Sequence, residues 1–253
     1  MNKQLVNFSL LLLAALTFSL TACDKDDDPQ TEGIFYGKSA SLGSGSARAY
    51  IEIDANGAPK QIGIAVSENA LETLPTHDHP LTLELPAEAV GKTPIKHITF
   101  DFQAHGHEPA GVYNVPHFDC HFYKITEAEK LLIGTNDADK LANAPDSTLI
   151  PAPYFPTGPV PQMGVHWVDP TSPEFNGQPF TNTFIYGAYD GKVIFYEPMI
   201  TVDMIKAKQH HHFEIRQPQQ FIPAGYYPME YCVRWNETAK QYEIALEDLT
   251  NRQ

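Results

Sequence analysis

Basic residues are scarce in this chain. It contains 17 Lys and Arg against 31 Asp and Glu, which gives a net charge of −14, and the basic residues form no cluster. Proteins that bind nucleic acid present a basic face to the phosphates. We therefore expect no nucleic-acid partner.

Recognisable catalytic motifs are also missing. The sequence has no glycine-rich phosphate loop, no nucleophile elbow, no Cys-x-x-Cys pair and no His-Glu-x-x-His segment. Because no activated nucleophile can be assigned, a hydrolase is the least favoured function. The sequence leaves open whether the protein is an enzyme.

Cysteine is rare as well, with only Cys23, Cys120 and Cys232 in the chain. Cys120 alternates with phenylalanines, which predicts a core position, whereas Cys232 alternates with charged residues, which predicts a polar face. This contrast favours two separate thiols over a disulfide.

The one long apolar stretch lies at the N-terminus. Residues 5–20 follow Lys3, are interrupted by Asn7 and Ser9, and are short for a membrane helix of about 20 residues. They lead into Leu20-Thr21-Ala22-Cys23, the pattern of a bacterial lipobox. We predict a signal peptide over 1–22 and a membrane anchor through lipidated Cys23.

An acidic, apolar-poor segment follows Cys23 and predicts a tether over residues 23–33. Its aspartates resemble the surface-export signal of Bacteroidota lipoproteins, which would place the domain on the outer face of the outer membrane. A solvated linker facing the periplasm fits the composition equally well.

The remaining chain predicts one β-rich domain over residues 34–250. Residues 97–103 alternate between apolar and polar, which predicts a half-buried antiparallel strand, and Asp190-Gly191 predicts a hairpin turn. Helical periodicity is confined to residues 68–74 and 126–141, the latter broken by Gly134. The proline-rich segment 145–179 predicts an extended surface crossing without strand pairing. We expect an α+β fold, predominantly antiparallel β, sandwich or barrel-like, with one or two short helices and long proline-rich loops.

Potential ligand groups concentrate between residues 105 and 123. A strand beginning after Pro116 would place His117, Asp119 and His121 on one face. His117 and His121 would then lie about 13 Å apart, too far to share one ion, so other segments must complete any site. The alternative is that these residues form the solvated side of a half-buried strand.

Three further residues are candidates to complete such a site. A two-residue turn at 190–191 places Glu197 opposite Phe184, on an aromatic face where a carboxylate needs a partner or a cation; its place near the strand end also allows solvent exposure. His166, beside Trp167, is either a ligand or a structural histidine. His107, in a glycine-containing loop, either covers a cavity or shapes a turn. The three histidines at 210–212 are expected to be mostly surface residues.

Five strings of the sequence carry a family resemblance. They cover residues 106–109, 115–119 with 121–123, 163–167, 184–187 with 189–191, and 197–201. They resemble the TTHB-type domain of unknown function, a family of uncharacterised bacterial envelope proteins whose naming member belongs to an extracytoplasmic sigma-factor operon. The resemblance spans residues 35–249 and implies a β-rich, oligomeric envelope domain with no assigned activity. Cys120 stands where the family has an aromatic residue, and residues 210–212 are a local departure.

Two functions remain open at this point. In the first, the lipid-anchored domain binds a divalent metal such as zinc, or a small ligand, in a cavity lined by Asp119, His121, His166 and Glu197, with His107 and His117 nearby. In the second, the protein is a non-catalytic homo-oligomeric scaffold of the envelope and its histidines are structural.

Overall fold

The structure is a computed structural model that describes residues 32–252. The predicted signal peptide (1–22), Cys23 and the tether as far as residue 31 lie outside the described residues.

Antiparallel strands form most of the described chain. The strands are β1 Gly33–Tyr36, β2 Ala40–Leu42, β3 Gly45–Ile53, β4 Pro59–Ser67, β5 His79–Leu83, β6 His97–Gln103, β7 His117–Tyr123, β8 Phe155–Val160, β9 Gly164–Val168, β10 Asn182–Tyr189, β11 Lys192–Thr201, β12 His211–Glu214, β13 Gly225–Tyr227, β14 Glu230–Asn236, β15 Gln241–Glu247 and β16 Thr250–Arg252. The first sheet has the order β1-β3-β4-β15-β14-β12, with β2 on β3, and the second has the order β5-β6-β7-β11-β10-β9-β8; β13 and β16 form a small third sheet. The arrangement is sandwich-like with no closed barrel over the described residues, which confirms the predicted fold class.

Short helices connect some of the strands. They are α1 Glu68–Glu72, α2 Glu127–Leu131, α3 Ala138–Ala142 and α4 Val202–Lys206. Within residues 32–252 there are thus four α-helices, where the sequence predicted one or two. The helical pattern over 126–141 divides into α2 and α3 on either side of Gly134, and Thr126 and Glu129 form a capping box at the start of α2.

The main hydrophobic core lies between the two large sheets. Ile64 on β4 and Ile244 on β15 belong to the same buried cluster as Phe100 on β6 and Phe118 on β7. The rings of Phe100 and Phe118 stack with centroids 4.1 Å apart. This packing fixes the face of β6 and β7 that points inward, so their polar residues occupy the opposite face.

That opposite face is also covered, and here the expectation of a half-buried strand was wrong. Every residue of β7 is buried, and β6 is buried from His97 to Phe102. Tyr113 from the loop before β7 and Phe180 from the segment before β10 pack in a second cluster on this side of the sheet. Alternation along one strand gives its two faces but cannot reveal that distant loops cover the polar one.

The proline-rich segment also departs from its prediction, because β8 and β9 pair with each other and extend the second sheet. β8 is an exposed edge strand that contains Pro156 and Pro159. Prolines are tolerated there because an edge strand has one side without ladder hydrogen bonds.

The two described cysteines are free thiols, as the sequence favoured. Cys120 lies in the main core as predicted, whereas Cys232 is buried rather than on a polar surface. It packs with Tyr50, Ala65 and Ala245 beneath Arg234, whose guanidinium lies 3.4 Å from its sulfur. Among the described helices, none is long and apolar enough to cross a membrane.

Candidate metal centre

The outer face of β7 carries the polar residues of the site. Antiparallel pairing places Thr99 of β6 opposite His121, and Asp101 of β6 opposite Asp119. On the other side of β7, Met199 of β11 lies opposite Asp119. Acids and imidazoles from neighbouring strands therefore meet on one surface of the second sheet.

A β-bulge in β11 turns Glu197 toward this surface. The turn at Asp190-Gly191 forms as predicted, and Ala188 pairs with Val193. The register then shifts, so that Glu197 lies opposite Ile185 and not opposite Phe184 as the sequence predicted. One extra residue in a strand reverses the face to which each following side chain points. The bulge therefore moves Glu197 from the aromatic core face to the outer face.

His121, His166 and Glu197 converge at the floor of this surface, and we call them the His121 cluster. Their ligand atoms all lie within 4.8 Å of one another. Nε2 of His121 is 3.3 Å from Oε1 of Glu197, and Nε2 of His166 is 3.5 Å from Oε2. In the described part of the chain, His121 Nε2 and Glu197 Oε2 are buried without a hydrogen-bond partner.

The ring of His121 is held from behind by β6. Its Nδ1 lies 3.2 Å from Oδ2 of Asp101 and 3.2 Å from the hydroxyl of Thr99, which itself donates to Asp101. Because the carboxylate only accepts, Nδ1 carries the hydrogen, and in a neutral ring Nε2 presents a lone pair to Glu197. A carboxylate behind the far nitrogen is the usual way in which proteins orient a metal-ligating histidine.

His107, His117 and Asp119 form a second group, which we call the His117 cluster. Nε2 of His117 is 3.0 Å from Oδ1 of Asp119, and Nε2 of His107 is 3.5 Å from Oδ2. The side chain of Gln103 donates to Oδ2 at 2.8 Å. The structure thus divides His117 and His121 between two groups, in line with the strand-spacing argument.

One cavity of about 770 Å³ connects the two groups. The residues of the predicted site that line it are Asp119, His121, His166, Glu197 and His107, while His117 lies behind Asp119 with no exposed surface. The rest of the wall is mainly apolar, and none of its described lining residues is Lys or Arg.

The electrostatics of the His121 cluster follow from burial. Glu197 is only 2% exposed, and burial raises the pKa of its carboxyl group above the usual range. Burial opposes a charge on His121, but Glu197 and Asp101 outweigh that effect and raise the pKa of His121 to about 9. Burial and the neighbouring His121 lower the pKa of His166 to about 3, so its ring stays neutral and available as a ligand.

The His117 cluster differs because its two histidines stabilise the charged form of its acid, Asp119. Burial alone would raise the pKa of Asp119, but His107 and His117 outweigh it and hold the pKa well below the usual range. Burial also opposes a charge on His107, yet Asp119 raises the pKa of His107 to about 9. Asp119 is therefore a carboxylate at neutral pH.

Sequence reasoning missed the residues of β6 that complete the site. In the sequence, Asp101, Thr99 and Gln103 form only the polar face of a strand that was predicted to be half-buried. The alternation along the strand indicates that face, but nothing in the sequence indicates that loops bury it.

A third group with potential ligand atoms lies apart, at the surface of the first sheet. It contains His212, Glu230 and Glu247. His212 is exposed, as expected for residues 210–212, and Glu247 already pairs with both His212 and Arg234. The carboxylate of Glu247 is therefore already paired.

Chemically, the two buried groups contain the donor set that a divalent transition metal requires. Each offers two imidazole nitrogens and one carboxylate, and each could hold a metal ion. Three protein ligands leave coordination positions open toward the cavity.

Comparisons with known proteins add a local match. The family model described as TTHB210-like, hypothetical protein TTHB210, matches residues 54–102. This supports the resemblance over β4 to β6, including Thr99 and Asp101, and does not extend to His121, His166 or Glu197. Searches of curated proteins and of solved structures gave no match.

Proposed function

We propose that this protein binds a divalent transition-metal ion of the zinc class through His121, His166 and Glu197 and presents it to a small-molecule cavity. One observation carries the proposal. In the described residues, Nε2 of His121 and Oε1 of Glu197 face each other at 3.3 Å, and the buried nitrogen has no hydrogen-bond partner. Such a pair requires a positive charge between its two atoms, either a proton or a metal ion.

The charge balance of the cavity supports a metal over a proton alone. Asp101, Asp119 and Glu197 are 9%, 4% and 2% exposed, and all three lie on one face of the second sheet. No Lys or Arg lines the cavity in the described chain, so only histidines or a bound cation oppose these acids. Buried carboxylates without a counter-charge cost several kcal/mol each, and a divalent ion removes much of that cost.

The donor set selects the class of ion. Imidazole and carboxylate together suit zinc and neighbouring first-row metals, whereas calcium takes six to eight oxygen ligands. An ion with three protein ligands keeps a position for water or a ligand group, and such water is acidified by the metal. We assign no reaction to the site.

The direct test is metal titration of the purified protein after chelator treatment. We expect zinc binding by calorimetry, with affinity reduced more than about 100-fold in His166→Ala, because one of three ligands is lost. His77→Ala, a change of an exposed histidine outside all three groups, serves as the matched control and should bind like the unmodified protein. Absence of zinc binding by the folded protein would reject the proposal and favour the oligomeric scaffold.

We also propose that the protein is a lipoprotein of the cell envelope, anchored in the outer membrane through Cys23. The order of Lys3, an apolar stretch and Leu20-Thr21-Ala22-Cys23 supports this. Metabolic labelling with a fatty acid should mark the protein, and Cys23→Ser should abolish the label. Protease treatment of intact cells then separates a surface-facing domain, which is digested, from a periplasmic one, which is protected.

A further inference from the structure

We infer that the cavity holds a second divalent ion at the His117 cluster, and that the two ions together bind the oxyanion group of an amphiphilic small molecule. This inference rests on the proposed function of the His121 cluster. Its basis is that His107, His117 and Asp119 repeat the donor set of the first group, and that His107 and Asp119 line the same cavity.

The orientation of His117 is the first step. Its Nδ1 lies 2.7 Å from the carbonyl oxygen of Val115, which can only accept, so Nδ1 carries the hydrogen. In a neutral ring, Nε2 then presents a lone pair to Oδ1 of Asp119 at 3.0 Å. This is the relationship that His121 has with Glu197.

The unmet hydrogen-bonding capacity of this pair is the second step. His117 Nε2 and Asp119 Oδ1 are both buried, and neither has a hydrogen-bond partner in the described chain. Gln103 satisfies the other oxygen of Asp119. One nitrogen and one oxygen, 3.0 Å apart, therefore remain unsatisfied, and Nε2 of His107 lies 3.5 Å from the other oxygen of the same carboxylate.

The spacing of the two clusters decides between one ion and two. Asp119 and His121 are two residues apart on β7, a separation of about 7 Å along a strand. Metal–ligand bonds are about 2.0–2.3 Å, so one ion cannot use both groups fully. A group with several oxygens, such as a carboxylate or a phosphate, is the kind of ligand that can bridge two ions bound side by side.

The lining of the cavity wall indicates the chemistry of the rest of the ligand. Beyond the polar floor it is formed largely by apolar side chains, among them Phe155, Met163, Phe175 and Ile185. No Lys or Arg lines the cavity in the described residues, so bound metal would supply the positive charge for an anion beyond that of the histidines. The site thus fits a small molecule with an oxyanion head and an apolar body.

Metal stoichiometry separates this inference from the proposed function. Protein loaded with excess zinc and then desalted should carry two zinc ions per chain by elemental analysis. His107→Ala should carry one, and His117→Asn should do the same. His107 lies at the cavity rim with a 37% exposed side chain, so its variant tests the site even if the buried His117 variant does not fold. His77→Ala should keep two.

The outcomes are distinct. One zinc per chain that is unaffected by His107→Ala overturns the second site and leaves the first intact, whereas no zinc overturns both. The ligand class is tested with octyl phosphate, using octanol as the control without an oxyanion and inorganic phosphate as the control without an apolar body. We expect octyl phosphate to bind at least about 10-fold more tightly than either control, and to lose that advantage in His107→Ala. Equal binding of octanol would overturn the oxyanion assignment.

Discussion

Asp101 and Asp119 lie directly opposite each other on neighbouring antiparallel strands, and both are buried. Like charges in this position destabilise a strand pair. Each acid is instead joined to a histidine, Asp101 to His121 and Asp119 to His117. The stability of the second sheet therefore depends on the positive charge at these histidines, which either a proton or a bound metal ion supplies.

Chelation should therefore lower the melting temperature. An ion present at 100 times its dissociation constant stabilises the folded state by about 2.7 kcal/mol, which corresponds to about 5–10 °C for a domain of this size. Differential scanning calorimetry with zinc and with chelator measures the difference. The same shift in His121→Ala would show that the stabilisation arises elsewhere.

Asp101→Asn should weaken metal binding without abolishing it. The substitution keeps the shape of the side chain but removes the charge that orients His121 through Nδ1. A loss of about 10–100-fold in zinc affinity is expected by calorimetry. Asp139→Asn, at an exposed position on α3, is the control and should change nothing. An unchanged affinity for Asp101→Asn would mean that β6 does not orient the ligand.

Metal binding near neutral pH should release protons. Despite burial, Glu197 raises the pKa of His121 to about 9, and burial raises the pKa of Glu197, so the pair holds at least one proton at pH 7 in the metal-free protein. A metal ion must displace this proton, and affinity should rise with pH until the pair is deprotonated. Calorimetry in two buffers with different ionisation enthalpies measures the release, which should fall toward zero by pH 10. Equal enthalpies in both buffers at pH 7 would contradict this.

Gly187→Ala should destabilise the fold and weaken the metal site together. A Cβ at this position would lie 2.0 Å from the ring of Phe195, which is fully buried against His121 and His166. Overpacking of this kind costs about 1–3 kcal/mol. Gly158→Ala, where a Cβ meets nothing within 4 Å, is the matched control and should leave denaturant unfolding unchanged. A neutral Gly187→Ala would show that Phe195 has room to move.

The sequence predicted the faces of β7 and the turn at Asp190-Gly191, because both depend on local periodicity and turn chemistry. It named His121, His166 and Glu197 together, yet it placed Glu197 on the wrong face. The bulge after Val193 has no strong local signal, and it reverses the facing of every later residue in β11. Asp101 was missed for a different reason, since its burial depends on loops far away in the chain.

The number of zinc ions on the purified, zinc-loaded protein tests the central claim most directly, with His121→Ala and His166→Ala measured beside it. The account predicts at least one tightly bound ion per chain, and the loss of one ion in each variant. Folded protein that retains no zinc, or variants that retain as much as the unmodified chain, would contradict it.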